Sequence, residues 1–168
     1  MNFLFYRYNS VCEPYMIESL QKLGHTIKTI DTEITYKDIA AEKIIEIVSN
    51  SLITEHFDAV ISVNYYPVLS EICRIFKLRY ISWTVDSPVL ELLSDTVSND
   101  CNRIFLFDYQ QYLDLSPYNP DHIFYLPLAT NTAHWDKIIH SSTAQPLKYK
   151  SEISFVGSCL LYTSPSPR

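Results

Sequence analysis

Asp58-Ala59-Val60-Ile61-Ser62-Val63-Asn64-Tyr65-Tyr66-Pro67 and Tyr80-Ile81-Ser82-Trp83-Thr84-Val85-Asp86-Ser87-Pro88 follow one plan. In each, an apolar run breaks into polar and aromatic residues and then meets a proline. Each reads as a buried strand, a short polar turn and a helix opening at the proline, since a helix tolerates proline where its N–H would be unbonded anyway. Open parallel sheets hold their ligands in the crevice outside the carboxyl ends of the strands. Asn64, Tyr65, Asp86 and Ser87 therefore fall where such a fold keeps its chemistry.

The flanking sequence continues the rhythm. Asn2-Phe3-Leu4-Phe5-Tyr6-Arg7 is apolar on both faces, as a strand covered on two sides must be. Residues 13–23 carry Met16, Ile17, Leu20 and Leu23 on one helical face and stop at Gly24. Residues 25–30 read as a more polar strand nearer a sheet edge. Thr35-x-x-Asp38 resembles a capping box and predicts a helix from there to about residue 54. Helices are also predicted over 67–77 and from Pro88, the latter capped by Ser87 and followed by a polar loop over 94–100. A fifth strand spans 103–107, a helix capped by Asp108 reaches residue 115, and a sixth strand spans 123–126. Strands alternating with helices predict a doubly wound, Rossmann-like, mostly parallel α/β sheet over residues 1–130. Residues 131–150 read as a connector. Residues 151–158 read as the first strand and glycine turn of a second domain. Residues 159–168 read as a non-native tail, resembling a translated sequencing adapter.

Composition narrows the function classes. Of the 168 residues 47% are hydrophobic and 19% charged, which suits a packed core, and the net charge of −6 argues against a nucleic-acid binder. Thirteen tyrosines could line a sugar- or base-stacking cleft, or simply bridge core and surface. There are only two glycines, Gly24 and Gly157. A P-loop and a G-x-G-x-x-G turn are therefore impossible, and the turn after the first strand reads Tyr6-Arg7-Tyr8-Asn9-Ser10. The positions a phosphorelay receiver needs as acids hold Tyr6-Arg7-Tyr8 and Asn64 instead. Cys12, Cys73, Cys101 and Cys159 form no C-x-x-C pair. No secretory leader or membrane-length apolar run is legible, so free thiols in the cytoplasm are expected. The five histidines show no metal-like grouping, and no cofactor or metal is expected.

Phe3-Leu4-Phe5-Tyr6-Arg7-Tyr8-Asn9-Ser10, Asn64-Tyr65-Tyr66-Pro67-Val68-Leu69-Ser70-Glu71, Trp83-Thr84-Val85-Asp86-Ser87-Pro88, Arg103-Ile104-Phe105-Leu106-Phe107-Asp108, Leu126-Pro127-Leu128-Ala129 and Ile153-Ser154-Phe155-Val156-Gly157-Ser158 stand in an order that resembles one family. It is a bacterial group of glycosyltransferase-like proteins related to spore-maturation CgeB, with an N-terminal domain of unknown function before a group 1 glycosyltransferase domain. The resemblance implies a GT-B fold of two Rossmann-like domains, the first mainly holding the acceptor and the second the nucleotide-sugar donor. This chain would be the acceptor side plus the opening of the donor side, its partners a nucleotide-sugar, a glycan or other hydroxyl acceptor, and the missing C-terminal domain. From Cys159 the family pattern ends, so the fragment alone is expected to be inactive.

Within that frame Asp86 is the candidate base for the acceptor hydroxyl. A following helix N-terminus would hold its carboxylate ionised, and a helix-cap or turn role is the alternative. Asn64 and Tyr65 could hydrogen-bond and stack on an acceptor, with Ser87 beside them. Arg7 and Asn9 could touch the acceptor or the donor phosphates, or merely be solvated. Gly157 and Ser158 would present backbone N–H groups to a diphosphate in an intact parent. The competing reading is a non-catalytic, flavodoxin-like α/β binding or interaction module.

Overall fold

The computed structural model of the chain describes residues 1–36, 39–141 and 152–153. Six strands form one sheet: β1 (Asn2–Tyr6), β2 (Thr26–Ile30), β3 (Ala59–Val63), β4 (Arg79–Trp83), β5 (Asn102–Leu106) and β6 (Ile123–Tyr125). Their order is β2-β1-β3-β4-β5-β6, and every neighbouring pair is parallel. Between the strands run α1 (Glu13–Lys22), α2 (Thr32–Thr35), α3 (Ala41–Thr54), α4 (Pro67–Phe76) and α5 (Tyr109–Leu115). The fold is α/β with a Rossmann-like doubly wound parallel sheet, as the alternation of the sequence predicts. The more polar strand, β2, lies at an edge, where its Lys28 and Thr29 are exposed.

Period-two alternation sorts the strand side chains onto two apolar layers. Leu4, Tyr6, Val60, Tyr80, Ile104, Leu106 and Ile123 pack on one face with Ile44 and Val48 of α3 and Leu69, Ile72 and Cys73 of α4. Phe3, Phe5, Ala59, Ile61 and Val63 pack on the other with Met16, Ile17 and Leu20 of α1. Each fully buried aliphatic side chain contributes about 1.5–3 kcal/mol relative to exposure. This explains why both faces of β1 and β3 had to be apolar. Some polar groups within these layers are paired, whereas Ser82 Oγ of β4 is buried without a hydrogen-bond partner among the described residues. The Tyr80 hydroxyl shares a hydrogen bond of 2.7 Å with Ser62 Oγ and accepts one of 2.9 Å from the Tyr66 N–H, tying β3 and β4 to the start of α4.

Two expected helix starts are not where the sequence placed them. Pro88 does not open an α-helix. The Ser87–Pro88 bond is cis, Val89 is extended, and two 3₁₀ turns follow, Leu90–Leu93 and Asp95–Ser98. Val89 and Leu92 turn inward, 8% and 2% exposed, while Leu90 and Leu93 face out, which is the i, i+3 eclipse of a 3₁₀ turn. Ser94 Oγ accepts from the Thr96 N–H and caps the second turn, so the first run ends after four residues. Likewise Thr35 ends α2, and α3 begins after extended Ala40 with no side-chain cap. Asp38 lies outside the described residues. Asp108 does cap α5, its Oδ1 accepting from the N–H groups of Gln110 (2.9 Å) and Gln111 (3.1 Å).

The chain divides into two units after Thr130. In the second, the stretch expected as a connector opens with α6 (Thr132–Ser141), where Asn131 Oδ1 accepts from the His134 N–H at 3.1 Å. The expected strand and turn over 151–158, except Glu152 and Ile153, lie outside the described residues, as does the tail. Gly157 and Ser158 are among them. No helix of the described residues is long and apolar enough to cross a membrane.

Candidate functional site

The strand order reverses between β1 and β3, because the chain leaves β1 toward β2 and returns to β3 on its other side. Such a switch point leaves a crevice at the carboxyl ends of the strands. Here it holds a cleft of about 320 Å³ lined by Tyr8, Glu33, Asn64, Tyr65, Tyr66, Asp86, Pro88, Val89 and Glu91.

Asn64 organises this cleft. It follows β3 with φ of +58°, a left-handed conformation that asparagine tolerates better than most non-glycine residues. Its backbone N–H donates to the Trp83 carbonyl at 2.9 Å, continuing the β3–β4 ladder past the strand. Its amide Nδ2 donates to the Tyr8 hydroxyl (2.9 Å) and to Asp86 Oδ2 (2.7 Å), and its Oδ1 accepts from the Val85 N–H (3.0 Å). One side chain thus joins the ends of β1, β3 and β4. Asp86 is exposed at the cleft and held through one oxygen. Its other oxygen has no protein partner among the described residues.

The cleft's second wall is tyrosine and acid. Tyr6 and Tyr66 both donate to Glu33 of α2, which no sequence pattern singled out, at 2.6 and 3.5 Å. The Tyr66 ring packs edge-on to Tyr6 and tilted against Tyr8. Burial pushes the phenols of Tyr8 and Tyr66 above the ordinary tyrosine value. The charge of Asp86 and Glu13 adds to this at Tyr8, and that of Glu33 at Tyr66. Both therefore stay neutral O–H donors.

The turn after β1 shows how the chain manages without glycine. Asn9 takes φ of +77°, and the fully buried Glu13 of α1 turns its carboxylate back into the turn. That carboxylate accepts from the backbone N–H of Tyr8 (2.8 Å) and Asn9 (3.2 Å) and from Arg7 Nε (3.1 Å). Backbone N–H groups at this place grip phosphate in nucleotide-binding α/β folds. Here an internal carboxylate occupies them.

The structure brings Asn64 and Asp86 together and sets the other sequence-derived candidates apart from them. Tyr65 borders the cleft, but its side chain is only 1% exposed. Its hydroxyl shares a hydrogen bond with Thr96 Oγ1 and accepts one from Asn102 Nδ2, so it braces the core and does not stack on a ligand. Ser87 donates to Asp108 Oδ2 at 3.0 Å and lines a neighbouring hollow. Arg7 is engaged by Glu13 and Asp31. Asn9 contributes its backbone N–H to Glu13 and its side chain is exposed. The helix expected to follow Asp86 is absent, so no helix dipole acts on its carboxylate. Sequence reasoning missed Glu13, Glu33, Tyr66 and Glu91. For Glu13 one signal was present, a glycine-free turn followed by an acid in the first turn of the helix.

Among the described residues no group of three His, Cys, Asp or Glu side chains is placed to hold a metal ion. No family model and no curated protein matches the chain.

Proposed function

We propose that this chain is the acceptor side of a GT-B glycosyltransferase, which in an intact parent transfers a sugar from a nucleotide-sugar to a hydroxyl acceptor. One observation carries the reading: the switch-point cleft offers a positioned carboxylate and tyrosine hydroxyls, while the phosphate-gripping turn beside it is filled by Glu13. That combination suits a polyhydroxyl ligand better than a nucleotide, which is what the acceptor side of such an enzyme needs.

In this mechanism Asp86 removes the proton from an acceptor hydroxyl. The freed oxygen pair forms a bond to the anomeric carbon of the donor. The bond from that carbon to the diphosphate breaks, and the nucleoside diphosphate leaves with its electrons. Asn64 fixes the Asp86 carboxylate through Oδ2, leaving the other oxygen for the acceptor. In a chain that carries the donor half, Asp86→Asn should lower turnover about 10²–10⁴-fold, the span that general-base catalysis contributes. Unchanged turnover would remove Asp86 from this role.

The strand order supports a second reading, a non-catalytic flavodoxin-like binding module, since flavodoxin-like sheets share the order 2-1-3-4-5. The filled β1–α1 turn weighs against a flavin phosphate there. Titration with flavin mononucleotide separates the two: binding at the cleft favours the module, and silence with flavin but response to neutral sugars favours the acceptor side.

A further inference from the structure

We propose that the groove between the two 3₁₀ turns and α5 docks an amphipathic helix of a partner protein, one whose apolar anchors are flanked by lysine or arginine. Two hollows of about 310 and 380 Å³ adjoin there, and Leu92, Leu93 and Leu115 line both, so they form one trough. Leu90 and Leu93, on the outward side of the first turn, are 70% and 78% exposed, and Tyr118 on the second hollow is 70% exposed. Exposed apolar residues scattered singly are ordinary on a protein surface. Here they border one apolar trough, and a contiguous patch of that kind marks a surface that another molecule covers.

Charge complementarity decides the occupant. Asp108 and Asp114 line the first hollow and Asp95 the second, while neither lining holds a lysine or arginine. An apolar trough with an acidic rim complements a segment that carries leucine-like side chains in one stripe and cations beside it. The same rim, with the net charge of −6, repels the anionic headgroups that exposed leucines would meet at a membrane. The walls are helical turns and offer no strand edge, so an extended peptide gains no ladder of main-chain hydrogen bonds, and a helix laid in the groove is the fitting mode. Gln111 of α5 also lines the first hollow, and its Oε1 is buried with no hydrogen-bond partner among the described residues. An N–H or ammonium donor brought by the occupant removes the cost of that unmet acceptor.

The test is calorimetric titration of the full chain with synthetic peptides, read beside the backbone amide NMR signals of residues 90–98 and 108–118. The probes are a leucine–lysine peptide with leucines at helical spacing, a scrambled peptide of the same composition, and the helical peptide with glutamate in place of lysine. The leucine–lysine helix should bind about tenfold or more tighter than its glutamate counterpart, the combined effect of three exposed charge pairs. That margin should shrink in about 0.5 M NaCl, where the screening length is a few ångströms. Leu90→Ser with Leu93→Ser, both at exposed positions, should weaken binding about tenfold or more with the melting temperature unchanged. Asp95→Asn with Asp114→Asn should erase most of the preference for lysine over glutamate and leave the leucine dependence in place. Equal binding of the scrambled peptide, or binding indifferent to the leucine variant, shows only general attraction to an acidic molecule and overturns the proposal. Self-association of the chain that the leucine variant abolishes overturns it in favour of a second copy. Binding to phosphatidylcholine–phosphatidylserine vesicles that the same variant abolishes overturns it in favour of a membrane. Silence from all three peptides overturns it outright.

Discussion

Glu13→Ala should be among the most destabilising single changes in this chain, and the loss should be partly reversed by sulfate. The carboxylate is 0% exposed and accepts from Tyr8 N–H, Asn9 N–H and Arg7 Nε. Removing one partner of a buried ion pair costs about 3–5 kcal/mol. Arg7 retains Asp31 and is 22% exposed, which moves the expectation to about 3 kcal/mol. With a urea slope of about 2 kcal/mol per molar, the unfolding midpoint should fall by about 1.5 M. The variant then has two backbone donors and a guanidinium converging on an empty volume, which is an anion site. If sulfate fills it with a dissociation constant of about 1 mM, about 20 mM sulfate should restore roughly 1.8 kcal/mol. Sulfate also stabilises folded proteins generally by exclusion from their surface, so the wild-type chain in the same buffer is the reference. Urea unfolding followed by tyrosine and tryptophan fluorescence, for both chains with and without sulfate, reads the double difference. A loss under about 1 kcal/mol refutes the energetic reasoning. Equal sulfate effects on the two chains refute the claim that Glu13 stands where an anion would bind.

Other perturbations probe neighbouring parts of the same design. Asn64→Gly should lose about 2 kcal/mol with its three side-chain hydrogen bonds, and Asn64→Ala about 1 kcal/mol more for placing a Cβ at φ of +58°. Urea midpoints that rank alanine equal to or above glycine would contradict the backbone part of this. Asn102 is fully buried and bonded to Ser70, Tyr65 and the carbonyls of Thr96 and Val97, so Asn102→Leu should cost about 3 kcal/mol or more in thermal melts. Asp108 is held below the ordinary carboxylate range by the N–H of Gln111 and then by Ser87 and the N–H of Gln110. Its folded value is the depressed one, so its contribution is present above the unfolded value and lost as pH falls through the folded one. Asp108→Asn should therefore flatten the acid limb of the stability–pH curve, and an unchanged limb would show that the cap adds nothing there.

The strands were legible because burial on two faces leaves no freedom in residue type. Val60, Ile61 and Val63 must all be apolar when helices cover both sides, so the run announces itself. The ends of those runs also predicted which residues would converge, and Asn64 and Asp86 do meet. Proline was less informative. Pro67 opens a helix and Pro88 does not, although both follow the same kind of strand end. The difference lies beyond the proline, where Ser94 caps a new turn and cuts the apolar run short, and spacings of three residues fit an α-helix and a 3₁₀ turn equally. Glu33 was illegible, and Glu13 only faintly signalled, for another reason. Their roles depend on where the carboxylate ends up in space, and an acid near a helix start is ordinarily only a favourable dipole contact.

What the sequence did announce was a shortage, and the structure shows what it demands. A tight turn after a strand needs a residue tolerant of positive φ, and this chain uses Asn9 and Asn64 after β1 and β3 where glycine is usual. Asparagine, unlike glycine, brings an amide, and at Asn64 that amide ties three strand ends into one hydrogen-bonded unit. The turn after β1 is likewise closed by Glu13 in place of an external phosphate. Both substitutions remove freedom from the rim of the cleft before any ligand arrives. A site whose polar groups are already held loses little entropy on binding. The Asp86 carboxylate in particular need not be ordered by the acceptor it would deprotonate. The same economy sets the ligand's character: with Glu13 on the β1–α1 turn and Arg7 engaged, the polar side chains that line the switch point among the described residues are carboxylates, tyrosine hydroxyls and the Asn64 amide, and a ligand must complement those.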